Sequence, residues 1–192
     1  DGFIESISTD LLGEIPGDFF VDCTGFRSLL LGDALGVPFI DKKHLLNVDT
    51  ALAIQVPYAE TNVEIPPYTI AAAQSAGWIW DIGLQQRRGV GHVYASDYMD
   101  QSEAETILRR YVADMEGKLP VRKVPMRIGY RNKFWVKNCV AIGLSSGFVE
   151  PLEATGLLVF DAASHMLADQ IPVTRAQMSK VSARYNEYMT YM

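Results

Sequence analysis

No stretch of the sequence strings together the ~18–20 apolar residues that a helix needs to cross a bilayer. Basic residues are short too: 17 Lys and Arg stand against 23 Asp and Glu, for a net charge of −6. No Lys/Arg block interrupts that balance, so neither nucleic acid nor an anionic lipid surface is an expected partner. Cysteine is rarer still, with Cys23 and Cys139 each at the end of an apolar, strand-like run. The expectation is two buried thiols, no disulfide and a reducing cytoplasm. The three histidines, His44, His92 and His165, fall in different segments. No Cys/His pair has metal-ligand spacing, so no metal site is expected. His165 follows Asp161 by one helical turn and is expected to hydrogen-bond to it. There is no G-x-S-x-G, the elbow of serine hydrolases, and no G-x-G-x-x-G, the dinucleotide fingerprint. The opening DGFIESISTD has neither the basic nor the apolar region of a secretory signal.

What is present is apolar: 48% of the 192 residues are hydrophobic, enough for one globular domain with a sizeable core. Strand-like runs dominate the first half: 17–26, 51–56, 68–76, 77–84 and 88–95. The residues Trp78, Trp80 and Ile82 alternate with Ile79 and Asp81, the period-two pattern of a strand. SEAETILRRYVADMEGK reads as a helix with Ser102 and Glu105 as a capping box and Gly117 as its C-cap. Its apolar stripe is Ile107, Leu108, Tyr111, Val112 and Met115. RNKFWVKNCVAIGL predicts two short strands about a Lys137-Asn138 turn, and TGLLVFDAASHMLADQI a helix closed before Pro172. Strands first and helices last indicate a mixed α/β or α+β fold. The chain opens on Asp1-Gly2, a hairpin-turn dipeptide, and stops inside the helix-like RAQMSKVSARYNEYMTYM, so both ends read as interior points of a longer protein.

Three stretches could carry chemistry. In VAIGLSSGFVEPLEATGLLVF a buried strand ends in small residues, which let a bulky ligand approach the backbone. Thr155 is a candidate N-cap, and the amides of the helix start form an anion site aided by the helix dipole. Glu153 lies just before that terminus, and a carboxylate beside an anion pocket suits proton handling next to a halide or phosphate. Glu150 and Glu153 are equally readable as solvated loop acids. In GWIWDIGLQQRRGVGHVYAS, Trp78 and Trp80 either wall a flat aromatic ligand by stacking or fill a sheet face as core. Arg87-Arg88 reads as a hairpin with exposed charge in preference to a phosphate contact. FVDCTGFRSLL is a strand running into a glycine turn that could set Gly25 against a cofactor.

The stretches DCTGFRSLL, GWIWDIGL and GLSSGFVEPLEATG, in this order and with these gaps, together resemble the flavin-dependent tryptophan halogenase family. The resemblance implies an FAD-binding, flavoprotein-monooxygenase-like fold with an antiparallel substrate-side sheet, incomplete at both ends. Residues 1–192 would be the central and C-terminal part of a halogenase module. It implies reduced FAD supplied by a separate flavin reductase, and a peroxyflavin that oxidises chloride or bromide to a hypohalous species. That species halogenates an indole-like aromatic such as tryptophan, and a homodimer is compatible with it. The resemblance assigns the catalytic carboxylate to Glu153 and the halide-binding amides to Thr155 and Gly156. It places Gly25, Leu144 and Leu157 against the flavin, and has Trp78 and Trp80 keep substrate and flavin apart. Two positions depart from the family pattern: Gly83 stands where the Trp motif ends in proline, and Ala154 where a serine often follows the glutamate. The GxGxxG unit, the family's lysine and the C-terminal helices lie outside these residues, so the 192 residues alone are expected to be inactive. The competing readings are a flavin monooxygenase or reductase on the same fold, and a non-catalytic, degenerate flavoprotein domain.

Overall fold

The computed structural model describes residues 2–60, 62–172 and 174–192. Asp1, and with it the expected Asp1-Gly2 turn, lies outside the described residues. In chain order the strands are β1 (Ser6–Thr9), β2 (Gly13–Pro16), β3 (Phe20–Asp22), β4 (Phe39–Asp41), β5 (Thr50–Pro57), β6 (Ile70–Gln74), β7 (Gly77–Gly83), β8 (Arg87–Tyr94), β9 (Val121–Pro125), β10 (Gly129–Arg131), β11 (Trp135–Val136), β12 (Cys139–Ala141) and β13 (Gly147–Phe148). The helices are α1 (Gln101–Val112), α2 (Thr155–Gln170) and α3 (Arg175–Tyr191). Where the composition suggests one domain, the chain divides into two compact units, Lys43–Arg127 and Asp1–Lys42 with Ile128–Met192. Among the described residues no helix is long and apolar enough to cross a membrane.

The Lys43–Arg127 unit is an antiparallel sheet in the order β6-β7-β8-β5-β9 with α1 on one face. Strict alternation sorts its side chains. Ile79 and Val90 turn toward Leu108 and Val112 of α1, with Leu52, Ile54 and Tyr94 in the same core. Each such fully buried aliphatic side chain is worth about 1.5–3 kcal/mol. Helix α1 differs from its expected ends. Its cap is Asp100, whose carboxylate accepts the Glu103 amide at 2.8 Å, not the Ser102/Glu105 box. It leaves the helix at Ala113 (φ 61°), four residues before Gly117. The reason is Asp114, which accepts the amides of Lys118 and Leu119 and pairs with Arg109, pulling the chain into a turn. Met115 therefore falls beyond the stripe and is 66% exposed.

His92 is completely buried beneath α1. Its Nδ1 lies 3.0 Å from the Ala104 carbonyl, to which it donates, and Nε2 has no partner among the described residues. Burial lowers its pKa below the ordinary histidine value, with the Ala104 carbonyl acting in the opposite direction. The unfolded chain takes up that proton near pH ~6.5 while the folded chain resists it, so the stabilisation is present above that pH and lost below it. Thermal midpoints should fall as pH drops from about 7 to 5.5, and His92→Phe should flatten that slope. Equal slopes in the two proteins would exclude His92 as the source.

The other unit holds the hairpin β1–β2, a sheet β4-β10-β13, and a sheet β11-β12-β3 in which β3 and β12 run parallel. Helices α2 and α3 pack on the β11-β12-β3 sheet through Trp135, Ala163, Leu167, Tyr185 and Met189. The α3 residue Asn186 ties helix to strand: Oδ1 accepts the Phe134 and Trp135 amides at 2.7 and 2.9 Å, and Nδ2 donates to the Trp135 carbonyl at 2.8 Å. Asn186→Ala strands these groups and should cost about 1–3 kcal/mol in urea unfolding. An unchanged midpoint would show the tie to be dispensable. Both cysteines are free, but only Cys139 is buried; Cys23 is exposed because its neighbours Phe20 and Asp22 take the inward side of β3. Burial pushes the Cys139 thiol up to about 12, which keeps it protonated.

Candidate functional site

Strand β3 ends at Asp22, whose buried carboxylate starts the next segment. Its Oδ1 accepts the Thr24 amide at 3.0 Å and the Thr24 hydroxyl at 2.6 Å. Its Oδ2 accepts the amides of Leu30 and Leu31 at 3.0 and 2.8 Å. The chain is thereby wound into a short turn, Gly25–Arg27, followed by a single wide turn, Leu29–Ala34. Gly25 sits at φ 70°, and a Cβ there would meet nothing within 4 Å. The peptide edge at Gly25 is therefore open.

Strand β12 ends in a second turn, Gly143–Ser145, with Gly143 at φ 78° and also facing open space. Leu144 is its central, half-buried residue. The two turns are joined: the Ile142 amide donates to the Asp22 carbonyl at 3.1 Å, and the Ser145 hydroxyl donates to the same oxygen. Phe26 meets Phe148 of β13 edge to face, centroids 5.7 Å apart. A Cβ on Gly156 would in turn lie 4.0 Å from Phe148. Gly25, Leu144 and Gly156, distant in sequence, thus converge on one region.

Between β13 and α2 the chain runs through VEPLEA. Glu150, which the sequence left without a role, accepts the Leu152 amide at 2.9 Å and helps shape this loop. Glu153 is exposed. Thr155 is not the cap of α2 but its first residue; the cap position belongs to Ala154, left-handed at φ 53° and without an acceptor side chain. The difference has a chemical consequence. A Ser, Thr or Asp cap stabilises a helix by about 0.5–2 kcal/mol because it occupies first-turn amides. Here the Leu157 amide bonds back to the Ala154 carbonyl at 3.0 Å, and the amides of Thr155 and Gly156 meet no acceptor among the described residues. An uncapped helix start with open donors attracts an anion. Leu157 stands on the same turn, 71% exposed.

Trp78 and Trp80 belong to the other unit. They share the face of β7 opposite Ile79 and Asp81, are half-buried, and meet edge to face at 6.2 Å. The α1-side core is filled by Ile79 and its neighbours, not by the tryptophans. Three of their four cross-strand neighbours are small: Ala73 pairs with Trp78, and Ala71 and Gly91 with Trp80, while the buried Val93 also pairs with Trp78. A Cβ at Gly91 would lie 2.1 Å from Cζ2 of Trp80, so the indole lies across that strand only because residue 91 is glycine. Gly91→Val should displace Trp80, shift tryptophan emission to longer wavelength and cost about 1–3 kcal/mol. Unaltered emission would contradict this packing. At Gly83, the departure from the motif, Cγ2 of Ile65 lies 2.6 Å from where a Cβ would be, so Ile65 occupies that space. The Arg87-Arg88 segment does form a hairpin, but Arg88 is committed: it pairs with buried Asp81 at 2.8 Å, and Tyr111 donates to the same carboxylate oxygen at 3.3 Å.

No metal-ligand cluster occurs among the described residues. His165 Nε2 is 3.7 Å from Asp161 Oδ1, too long for the expected hydrogen bond. Sequence reasoning singled out Gly25 but missed Asp22. The signal was present: an Asp two residues before a turn amide, followed by Thr, is the pattern of an Asx turn.

The tryptophan halogenase family model matches residues 1–192. The chain is 49% identical over 171 residues to the tryptophan 6-halogenase SttH of Streptomyces toxytricini, covering 89% of this chain and 33% of SttH. It is 39% identical over 194 residues to the tryptophan 7-halogenase RebH of Lentzea aerocolonigenes, covering 100% of this chain and 36% of RebH. The crystal structure of a tryptophan halogenase from Shewanella frigidimarina superposes with a TM-score of 0.93 at 46% identity, over 99% of this chain and 37% of that one. The chain spans about a third of the length of the curated relatives it matches.

Proposed function

The chain belongs to the tryptophan halogenase family, and on that premise we infer that the protein carrying it is an FAD-dependent halogenase of an indole-like aromatic, tryptophan in the first instance. Residues 1–192 form the central and C-terminal part of its catalytic module. The observation that carries this reading is the start of α2, where Ala154 leaves the helix uncapped and the Thr155 and Gly156 amides open beside Glu153. Those amides hold chloride or bromide.

FAD fits the residues present. Gly25 and Gly143 hold left-handed turns whose outer sides are open, and Ser145 and Ser146 keep the ground between them small. Gly25, Leu144 and Leu157 are the contacts this reading gives the flavin. When bound, FAD reduced by a separate flavin reductase would supply, with dioxygen, the oxidising equivalent for converting halide to a hypohalous species. The chain's own residues govern the rest. Glu153 orients the hypohalous species and takes the proton that the ring loses as its carbon–halogen bond forms. Trp78 and Trp80 form the wall that separates substrate from flavin, so the ring meets the halogen and is not hydroxylated.

The deciding experiment is a product assay of the full-length protein with sodium bromide, FAD, a flavin reductase, NADH, air and tryptophan or indole. Mass spectrometry should find the brominated ring. Hydroxylated product without brominated product would favour a flavin monooxygenase; no product and no FAD binding would favour a degenerate, non-catalytic domain.

A further inference from the structure

Asp22 is fully buried, with a carboxylate surrounded only by donors: the Thr24 amide and hydroxyl, the Ser28 hydroxyl, and the Leu30 and Leu31 amides. A group that only accepts, five times over, is a carboxylate and not a carboxylic acid. No lysine or arginine pairs with it among the described residues; the backbone amides and hydroxyls supply the compensation. Burial alone would raise its pKa, but the Thr24 hydroxyl and the amides of Leu31, Thr24 and Leu30 hold it below the usual carboxylate value. The main chain of the same residue does a second task. Its carbonyl accepts from Ile142 and Ser145 and so fixes the turn that carries Leu144. Thr24 extends the arrangement, donating to Asp22 while its oxygen accepts the Leu29 amide at 2.8 Å.

We propose that Asp22, with Thr24 as its relay, is a positioning residue for the flavin: its side chain sets the left-handed turn at Gly25, its carbonyl sets the turn at Leu144, and the two flavin contacts are held in mutual register through this one residue. The inference rests on the functional reading above. A buried carboxylate stripped of a cation is a costly way to stabilise a turn, and the turn it builds presents Gly25 with nothing packed against it. Its ionised form is needed, because a donor at either oxygen would face a backbone amide that can only donate: Thr24 at Oδ1, Leu30 and Leu31 at Oδ2.

The test uses the full-length protein without halide or substrate, reading FAD affinity by quenching of flavin fluorescence, the shape of the bound flavin's visible bands, and the thermal midpoint. Asp22→Asn should weaken FAD binding at least tenfold and alter the bands. Because that variant could fail to fold, the decisive pair is Thr24→Val and Thr24→Ser. The valine removes the relay and should weaken FAD binding several-fold; the serine keeps the hydroxyl and should bind as wild type. Met189→Ala, on the core face of α3, should lower the thermal midpoint and leave FAD affinity unchanged. Thr24→Val with wild-type affinity and spectrum would overturn the positioning role alone, as would Met189→Ala weakening FAD binding to the same degree as Thr24→Val. Wild-type protein that binds no FAD would overturn this role and the functional reading together.

Discussion

Glu153→Gln should slow halogenation by ~10²-fold, the usual scale for losing a group that accepts a proton in the transition state. Attack of the ring carbon on the hypohalous species forms the carbon–halogen bond, breaks the oxygen–halogen bond, and leaves a ring proton to be removed. A carboxylate takes that proton readily; a carboxamide of the same shape does not. The substitution is mild structurally, because Glu153 is exposed and its loop is shaped by Glu150, which accepts the Leu152 amide, and by the Ala154 amide bonding to the Pro151 carbonyl. FAD affinity and the thermal midpoint should therefore stay at wild-type values while steady-state turnover of tryptophan falls. Wild-type turnover would mean that another group accepts the proton.

Thr155→Asp should move two measurements in opposite directions. A carboxylate in the first turn of α2 lies at the positive end of the helix dipole, and should stabilise the helix by about 0.3–1 kcal/mol. The same charge stands within a few ångströms of the open Thr155 and Gly156 amides, where it repels an incoming halide. Like charges about 4 Å apart near a protein surface interact with roughly 1–4 kcal/mol, depending on the effective dielectric. The halide concentration giving half-maximal rate should thus rise at least about fivefold, with the thermal midpoint constant or higher. A parallel loss of stability and halide use would point to misfolding, and unchanged halide saturation would remove the halide from this terminus.

Strands β5 to β8 of the Lys43–Arg127 sheet were legible because residues such as Ile79 and Asp81 alternate strictly with Trp78 and Trp80, whereas β9, VRKVP, carries two charges and a proline and was not read as a strand. The ends of α1 were not legible. Ser102, Glu105 and Gly117 have the right chemistry at the right spacing, but Asp100 caps the helix two residues earlier through the Glu103 amide, and Asp114, held by Arg109 and by the Lys118 and Leu119 amides, turns the chain out before Gly117. The division into two units was also hidden, since the chain leaves the first unit near Lys42 and returns at Ile128, and composition carries no record of that return. At the site, spacing alone left Glu153 and Thr155 as plausible loop residues, and the family resemblance supplied their roles. The structure altered the physical reason. Thr155 does not cap the helix, and Ala154, which looked like a loss relative to the family serine, leaves the first-turn amides unoccupied. Of the Asp22 contacts only the turn to Thr24 was readable locally; Leu30 and Leu31 lie eight and nine residues on, beyond that motif.

The account stands most directly on the anion seat at α2. A crystal of the full-length protein soaked in bromide and measured at the bromine absorption edge tests it in one experiment. An anomalous peak within hydrogen-bonding distance of the Thr155 and Gly156 amides is the predicted result. Bromide bound elsewhere, with these two amides bare at saturating halide, would contradict it.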